Sequence, residues 1–588
     1  MPSSRITRPW AASLYGTLCL LASIRSAFAA VAVTAPTSPP SANVNVVYSN
    51  FMGISMELSF VNYYMGNSSD QIPAPFVRYL STLQQHTSGK PVRLRVGGNS
   101  MDSSTYVANQ QSIIQFTDPN ANSNDQPVNY GPQLFEVMKG ISTKVGRVQY
   151  LIGLSLRTPN STDIPLLAGD ATKALGSDLD ALLLGNEPDL YTAHGQRPGI
   201  ANYTTQDYIA DYSTVFNNLK ATPQGDVLSQ NNIGGPTICC AWDLAPVLQS
   251  GWLDQYKQQL KYITLQHYPQ DNCRGTTAFG IQHYLVHANT VSLAQWQEPG
   301  IQLAFQAKKP VLMDEFNSVS CGGVDGISNV FGASLWTADY ALQMASVGYS
   351  GAYLHVRERG ITYNMFDPPA GVAGAPGAWT TNAPFYGMLP VAAALQSTNG
   401  SRVVDLNIKN SMTDASQVHA GYAIYDGTGS NVHSLVIINF KDVQGTMSDY
   451  AIDKAFIPAS SGNLTIRYLA ATSIAEKTNI AWGAQTYAGV GDANPVPATF
   501  SSSVADKTVE CSEGCTIQVP GPGLAVVFVG QSGASVANST SSTNTSGTNG
   551  NNTGSSSSKN SATGSWATSV NASVGLLGLL VAVLVSMA

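Results

Sequence analysis

The sequence has few charged residues and no long basic segment. Lysine, arginine, aspartate and glutamate together make up 11% of the 588 residues, and the formal net charge is −7. The densest basic segments, Lys308-Lys309 and Arg357-Glu358-Arg359, are too short to neutralise a track of phosphates. These features argue against a nucleic-acid partner. So low a charged fraction is more typical of a secreted, glycosylated protein than of a cytosolic enzyme.

The first 29 residues have the pattern of a secretory signal peptide. Arg5 and Arg8 precede an apolar stretch, and Ala27-Phe28-Ala29 forms a small-x-small cleavage site. An N-terminal membrane anchor is the alternative. The short length of the apolar stretch favours a signal peptide and a secreted protein.

The C-terminal end predicts attachment to a membrane through a lipid anchor. Residues 531–573 are almost wholly Ser, Asn, Thr, Gly and Ala, which predicts a disordered stalk. Residues 574–588 are apolar, have no basic flank, and follow small residues at Ser561-Ala562 or Gly564-Ser565, as in a GPI-attachment signal. A tail-anchored helix is the alternative, but the apolar tail is short for a membrane span. We therefore expect a secreted protein held at the cell surface or cell wall by a GPI anchor.

Cysteines are scarce, and their number is even once the signal peptide is removed. Of seven cysteines, Cys19 lies in the signal peptide, and an even count in a secreted chain predicts disulfides. A metal site is the alternative, but no histidine lies at ligand spacing from a cysteine pair, so no metal is predicted. Cys511 and Cys515 are close enough to close a small local loop. The six remaining cysteines are Cys239, Cys240, Cys273, Cys321, Cys511 and Cys515.

Glycosylation sequons agree with secretion. Within the predicted folded region they lie at Asn67, Asn160, Asn202, Asn399 and Asn463, and more follow in the stalk and tail at Asn538, Asn544, Asn551 and Asn571.

Eight short apolar runs, separated by helix-length segments, occupy residues 49–392. Most are continuously apolar rather than alternating, as expected of strands covered on both faces. Strand–helix repetition over this length with eight strands predicts a (β/α)₈ barrel. The runs lie at 51–58, 92–98, 148–156, 181–188, 231–238, 262–269, 310–317 and 351–357.

The regions on either side of the predicted barrel have a different pattern. Residues 393–530 contain short β-type runs separated by Gly, Asn, Ser and Asp turns, which predicts an all-β sandwich packed on the barrel. Residues 30–48 are also β-like and are predicted to complete that sandwich.

Two of the barrel runs end in glutamates suited to glycoside hydrolysis. Glu187 ends the fourth run and Glu315 ends the seventh. Active sites of such barrels lie at the carboxyl ends of the strands, and strands four and seven face each other across the barrel. Two carboxyl groups about 5–5.5 Å apart would hydrolyse a glycosidic bond with retention, one as acid/base and one as nucleophile. The acid needs a raised pKa, through burial or a neighbouring negative charge.

The motifs around these glutamates resemble a known family. "GNEPD" at 185–189 with "LMDEFNS" at 312–318 looks like the retaining (β/α)₈ glycosidase clan. "RVGGNS" at 95–100, "QHYP" at 266–269 and the sandwich built from both ends narrow the resemblance to glycoside hydrolase family 79, in particular its fungal β-glucuronidase-like members, which are related to heparanase. The resemblance covers residues from about 31 to 530.

The resemblance implies roles for eight residues. Glu187 would be the acid/base and Glu315 the nucleophile, with Tyr268 donating a hydrogen bond to Glu315. The remaining five would bind the sugar: Asn186 at the 2-hydroxyl, Glu57 and Asn99 at ring hydroxyls, and Gly322 and Tyr363 at the uronate carboxylate.

Other polar residues at strand ends have plainer interpretations. Asp189 is predicted to be a helix N-cap. Asp314 precedes Glu315 on a strand, so it should point to the opposite side and have a structural role. His267 is predicted to be structural for the same reason. His355 and Arg357 either support the nucleophile's surroundings or pack the barrel.

The leading functional prediction is an exo-acting retaining β-glucuronidase. Its substrate would be a glycan of a polysaccharide or proteoglycan that bears terminal β-glucuronate or 4-O-methylglucuronate. Alternatives are an endo-acting heparanase-like enzyme, another glycosidase of the clan that cuts xylosides or arabinofuranosides, and a non-catalytic carbohydrate-binding protein at the cell surface. The acidic charge argues against binding of sulfated heparan. No metal or organic cofactor is implied, because two carboxylates suffice.

Overall fold

The eight predicted strands form a closed parallel barrel. A computed structural model describes residues 29–34, 36, 38–40, 45–118, 120–457, 462–500 and 503–529. Within it the barrel strands follow one another in chain order, and the eighth pairs with the first. They are β1 (Met52–Glu57), β2 (Val92–Gly97), β3 (Val148–Leu154), β4 (Leu179–Leu184), β5 (Ile233–Ile238), β6 (Leu260–His267), β7 (Val311–Phe316) and β8 (Tyr349–Val356). The predicted (β/α)₈ fold is confirmed.

Helices cover the outside of the barrel, so its strands are buried on both faces. All six residues of β4, for example, are buried. Neither face of such a strand meets water, which explains why the runs read as continuously apolar. The principal helices are Ala74–Gln84, Gln133–Val145, Asp163–Leu175, Thr205–Asn218, His287–Ala294, Glu298–Gln306, Phe331–Val347 and Ala383–Ala394.

A second domain of two sheets follows the last barrel helix, as predicted. The two sheets enclose one apolar core, to which Val33, Leu435, Val519 and Val527 contribute. In the smaller sheet Val31–Val33 runs parallel to Thr446–Ile452, which pairs with Cys515–Gly521, so both ends of the described chain meet in this domain. The larger sheet is built on Ser401–Asp405, His419–Asp426, Val432–Asn439, Gly523–Val529 and Asn463–Ala470.

All six cysteines of the predicted mature chain are paired. Cys511 and Cys515 close the small loop expected from their spacing, and Cys273 joins Cys321. The third disulfide connects the adjacent residues Cys239 and Cys240. The five predicted sequon asparagines in the described region are all exposed.

Several sequence-based predictions fall outside the described residues. They are the signal peptide (1–29, of which only Ala29 is described), the stalk (531–573) and the GPI-attachment tail (574–588). Secretion, glycosylation and anchoring therefore stay predictions. Among the residues that the structure describes, no helix combines the length and apolar character needed to cross a membrane.

A buried histidine links the barrel to the β domain. His287 Nδ1 lies 3.0 Å from both carboxylate oxygens of Asp339, and its Nε2 lies 2.8 Å from Asp405 Oδ2. Asp339 is on the barrel helix Phe331–Val347, whereas Asp405 ends a strand of the β domain. Burial lowers the pKa of His287, but the two carboxylates outweigh burial and raise it to about 10. The charged imidazolium therefore holds the two domains together.

We expect this link to make stability depend on pH. The folded pKa of His287 lies above the value of about 6.5 expected in the unfolded chain. Its contribution is therefore fully present below about pH 6.5 and is lost as the pH rises towards about 10. His287→Gln should lower the free energy of unfolding by about 3–5 kcal/mol at the lower pH, because it leaves two buried carboxylates without a cation.

Urea denaturation at the two pH values measures this difference. Near the upper pH the variant and the wild type should differ little. The exposed His194 provides a matched control, since His194→Gln should change stability by less than about 0.5 kcal/mol at either pH. An equal loss at both pH values for His287→Gln would contradict the role of the charge.

Candidate active site

Glu187 and Glu315 lie at the carboxyl end of the barrel, and a buried arginine connects Glu315 to Asn186, the neighbour of Glu187. Both glutamates are buried, with 8% and 7% of their surface exposed. Arg95 of β2 donates from Nη1 to Glu315 Oε2 at 2.6 Å and from Nη2 to Asn186 Oδ1 at 2.6 Å. A single guanidinium therefore fixes the end of β4 relative to β7. Arg95 begins the "RVGGNS" motif, but the motif alone predicts no role for it.

Hydrogen-bond donors occupy both carboxylate oxygens of Glu315. Arg95 donates to Oε2, and Tyr268, which follows β6, donates from its hydroxyl to Oε1 at 2.9 Å. Burial and the neighbouring Glu315 raise the pKa of Tyr268 well above its usual range, so the phenol keeps the proton that it donates. The expected contact between Tyr268 and Glu315 is present. An ionised carboxylate, which only accepts hydrogen bonds, suits this arrangement.

A β-bulge in β7 changes the expected orientation of Asp314. Pairing with β6 runs from Met313 opposite Leu265 directly to Glu315 opposite Gln266, so Asp314 is the extra residue. The regular alternation of side-chain directions along the strand is interrupted at this residue. The Asp314 Oδ2 atom lies 3.5 Å from Arg95 Nε, so Asp314 faces the same guanidinium as Glu315 instead of pointing away from it. Burial is the main cause that raises the pKa of Asp314, to about 7.

Glu187 has the surroundings of a proton donor. Burial, followed by the charges of Glu315 and Asp189, raises its pKa well above the usual range. Its backbone is left-handed, with φ 46° and ψ 53°, and its N–H donates to Thr237 O at 3.0 Å. In the rotated orientation of its side-chain amide, Gln266 donates to Glu187 Oε1 at 3.2 Å. The two glutamates therefore differ in their polar neighbours, as the two steps of a retaining hydrolase require.

Asn186 and Asn99 lie together at the ends of β4 and β2. The Asn186 side chain accepts from Arg95 through Oδ1 and donates through Nδ2 to Asn99 Oδ1 at 2.9 Å. These contacts fix the amide beside Glu187. The predicted contacts of both residues with sugar hydroxyls stay predictions.

Glu57 and His355 extend the site towards β1 and β8. Glu57 Oε1 accepts from the backbone N–H of Ser100 at 2.8 Å and from the Ser100 hydroxyl. His355 Nε2 lies 3.4 Å from Glu57 Oε2, and its Nδ1 lies 3.7 Å from Glu315 Oε2. Burial alone raises the pKa of Glu57, but His355 and Arg357 outweigh burial and lower it. His355 therefore belongs to the nucleophile's surroundings.

The two residues predicted to bind a uronate carboxylate lie close to each other, and one of them is near Tyr268 and His355. The Tyr363 ring is 6.4 Å from that of Tyr268 and 6.1 Å from that of His355. Gly322 has φ +97° and accepts through its carbonyl from Thr362 N at 3.1 Å, which places it next to Tyr363.

Arg357 brings a positive charge to the same side of the site. It is buried, with 5% of its surface exposed. Burial lowers its pKa, but Tyr363, Glu358 and Glu57 outweigh burial and raise it. Arg357 therefore carries its charge close to Tyr363 and Glu57, and its position is that of a site residue rather than of barrel packing.

The prediction that Asp189 caps a helix is wrong. Its carboxylate accepts the backbone N–H groups of Cys239, Cys240 and Ala241, at distances between 2.7 and 3.2 Å. No helix N–H donates to it, because the loop after β5 supplies the donors instead. His267 stacks on Trp296 with ring centroids 4.1 Å apart, which agrees with its predicted structural role.

The same loop contains a possible set of metal ligands in the described part of the chain. Ligand atoms of Asp189, Cys239 and Cys240 lie within 4.8 Å of one another. The two sulfurs are bonded to each other, however, and the carboxylate is occupied by backbone donors. A disulfide offers no thiolate to a metal, so these residues in this form do not fit a metal site.

Comparison with known proteins relates this geometry to glycosidases. Residues 421–526 match the model of the glycosyl hydrolase family 79 C-terminal beta domain. A protein named beta-glucuronidase from Aspergillus niger is 28% identical over 482 residues, which cover 74% of this chain and 82% of that protein. A beta-glucuronidase from Neurospora crassa is 26% identical over 469 residues, covering 76% of this chain and 80% of its own.

Solved structures share the fold at lower identity. A 4-O-α-L-rhamnosyl-β-D-glucuronidase from Fusarium oxysporum has a TM-score of 0.67 at 20% identity and covers 85% of this chain and 100% of its own. A family 51 arabinofuranosidase from Xanthomonas axonopodis pv. citri has a TM-score of 0.54 at 13% identity, over 85% of this chain and 98% of its own.

Proposed function

We propose that this chain is a member of glycoside hydrolase family 79 and a retaining exo-β-glucuronidase. It would release glucuronate or 4-O-methylglucuronate from glycans of polysaccharides or proteoglycans. Both relatives named above are beta-glucuronidases, which supports the choice of sugar. The observation that carries the proposed chemistry is the unlike surroundings of Glu187 and Glu315 at one barrel end.

In the first step of this mechanism Glu315 attacks the anomeric carbon. Glu187 gives its proton to the glycosidic oxygen, the bond to the aglycone breaks, and a covalent glycosyl-enzyme forms. In the second step Glu187, now a carboxylate, takes a proton from water, and the resulting hydroxide displaces Glu315. The raised pKa of Glu187 supports its role as acid, and the donors on Glu315 orient it for attack.

Selection of a uronate would depend on the side of the site formed by β8 and the loop after β7. Tyr363 and Gly322 lie there, and the buried charge of Arg357 complements a carboxylate on the sugar. Arg357 Nη2 already lies 3.0 Å from Glu358 Oε2, so a sugar carboxylate would be a second anionic partner, which a neutral sugar could not supply.

Hydrolysis of a panel of 4-nitrophenyl glycosides tests the proposal. We expect kcat/KM for the β-glucuronide to exceed that for the β-glucoside, β-xyloside and α-arabinofuranoside by about 100-fold or more. NMR of the first-formed sugar should show the β anomer, as retention requires. Cleavage of the xyloside or arabinofuranoside but not the glucuronide would contradict the proposal. An α first product would contradict retention.

A further inference from the structure

The loop after β5 holds the segment that carries Glu187. Asp189 is separated from Glu187 by Pro188 alone, and its Oδ2 accepts Cys240 N at 2.8 Å and Ala241 N at 2.7 Å. Cys239 N donates to the same carboxylate, at 3.0 Å from Oδ1. Three successive N–H groups that converge on one carboxylate require a bent backbone, as in other anion-binding turns.

The disulfide between Cys239 and Cys240 constrains that backbone. Bonding the sulfurs of neighbouring residues closes a small ring that includes the peptide between them, which removes much of its conformational freedom. Cys239 is buried, whereas Cys240 is exposed at the end of the barrel. Without the ring, three N–H groups on an exposed loop would have to be ordered at an entropic cost.

The Glu187 segment contacts β5 and its loop at two points. At one, Glu187 N donates to Thr237 O at 3.0 Å, and at the other Asp189 binds the cysteine loop. Between them the chain is in the left-handed conformation at Glu187, which an ordinary residue adopts only when its surroundings impose it. Releasing Asp189 would remove one of the two contacts that impose it.

We infer that the Cys239–Cys240 disulfide is a positioning element for the acid/base Glu187 and acts through Asp189. The inference rests on the proposed function, in which Glu187 protonates the leaving group. A misplaced acid slows hydrolysis most for substrates whose leaving group needs that proton most. Loss of the disulfide should therefore affect glucuronides with poor leaving groups and spare those with activated ones.

The test compares two leaving groups in a variant without the disulfide. For Cys239→Ser/Cys240→Ser, kcat/KM for methyl β-glucuronide should fall about 10-fold or more, whereas that for 2,4-dinitrophenyl β-glucuronide should fall less than about 3-fold. The constant kcat/KM is the right measure because it reports the steps up to formation of the glycosyl-enzyme. A fall of equal size for both substrates, or no fall for either, would overturn the inference.

The chain offers matched controls for this test. Cys511→Ser/Cys515→Ser removes a disulfide of the β domain, and the ratio of the two constants should stay at its wild-type value. Asp189→Asn keeps the shape but removes the anionic acceptor, so it should change the ratio in the same direction as loss of the disulfide, even if the cysteine variant fails to fold. An unchanged ratio in folded Asp189→Asn, checked by thermal unfolding, would overturn the role of Asp189.

Failure of the proposed function is distinguishable from failure of this inference. Wild-type protein that cleaves neither glucuronide would contradict the glucuronidase assignment alone. The test would then use methyl and 2,4-dinitrophenyl glycosides of the sugar that the wild type does cleave. The ratio of their kcat/KM values would decide whether the disulfide positions Glu187.

Discussion

Glu315→Ala is expected to lower kcat/KM for 4-nitrophenyl β-glucuronide by about 10⁴-fold or more. The variant loses the atom that forms the covalent bond to the sugar, and nothing nearby replaces it. Asp314, the adjacent carboxylate, is completely buried and faces Arg95, so it cannot substitute. The exposed Glu298 offers a control, because Glu298→Ala should leave kcat/KM unchanged within error.

Rescue by azide tests the assignment of the two glutamates more sharply than the loss of activity. In Glu315→Ala, azide can enter the space left by the carboxylate and attack the anomeric carbon from that side. The product would be the α-glucuronosyl azide, with the aglycone leaving with the proton of Glu187. In Glu187→Ala, Glu315 still forms the glycosyl-enzyme, and azide takes the place of water from the opposite side.

The two variants should therefore give azides of opposite configuration, which NMR distinguishes. A β-azide from Glu315→Ala, or wild-type hydrolysis by that variant, would contradict the assignment of Glu315 as nucleophile. An α-azide from Glu187→Ala would show that the two roles are reversed.

The barrel was predictable because burial on both faces leaves a simple pattern of apolar runs. The first and last residues of the strands were less predictable. The fourth apolar run predicts a strand from Ala181, whereas β4 begins at Leu179. The first residues of β4 are not recognisable in the sequence because the acidic Asp180 interrupts the apolar run. It is buried because Lys261 Nζ and the Tyr262 hydroxyl reach it from β6, at 2.6 and 3.1 Å.

The catalytic glutamates were predictable from sequence because local motifs mark both of them. Hydrogen-bond and ion-pair partners that are distant in sequence were not predictable. The immediate neighbours of Asp189 predict a helix cap, but its hydrogen-bond donors lie 50 to 52 residues further along the chain. Strand alternation predicts that Asp314 points away from Glu315, and one bulge, visible only in the pairing of β6 with β7, reverses that orientation.

Arg95 was missed for the same reason, although a signal was present. An arginine inside the apolar run at 92–98 must meet a counter-charge once the strand is buried. The sequence does not say which acid supplies it. The partner, Glu315, lies 220 residues away, and only closure of the barrel brings β2 and β7 into reach of one side chain.

Arg95→Met is expected to lower kcat/KM by about 100- to 1,000-fold. The guanidinium contacts Glu315, Asn186 and Asp314, and its removal leaves two buried carboxylates without a cation. Burial raises the pKa of Asp314 and Arg95 lowers it, so loss of Arg95 favours uptake of a proton beside Glu315. The acidic limb of the kcat/KM profile should therefore move to higher pH.

Arg95→Lys should recover only part of the loss. Lysine retains the charge, but a single ammonium group cannot donate in a fixed fork to both Glu315 and Asn186. We expect its pH profile to return towards that of the wild type while its kcat/KM stays low. The difference between the two variants separates the electrostatic contribution of Arg95 from its role in aligning β4 with β7.

Arg93 provides the matched control for a general loss of stability. It lies two residues earlier on β2 and interacts with the Ser350 carbonyl and the Tyr353 side chain instead of the catalytic pair. Arg93→Met removes the same charge from the same strand, so it should destabilise the barrel without moving the acidic limb. If Arg95→Met and Arg93→Met gave the same pH profile, the loss of activity would follow from weakened folding, and Arg95 would not be the residue that keeps Glu315 ready to attack.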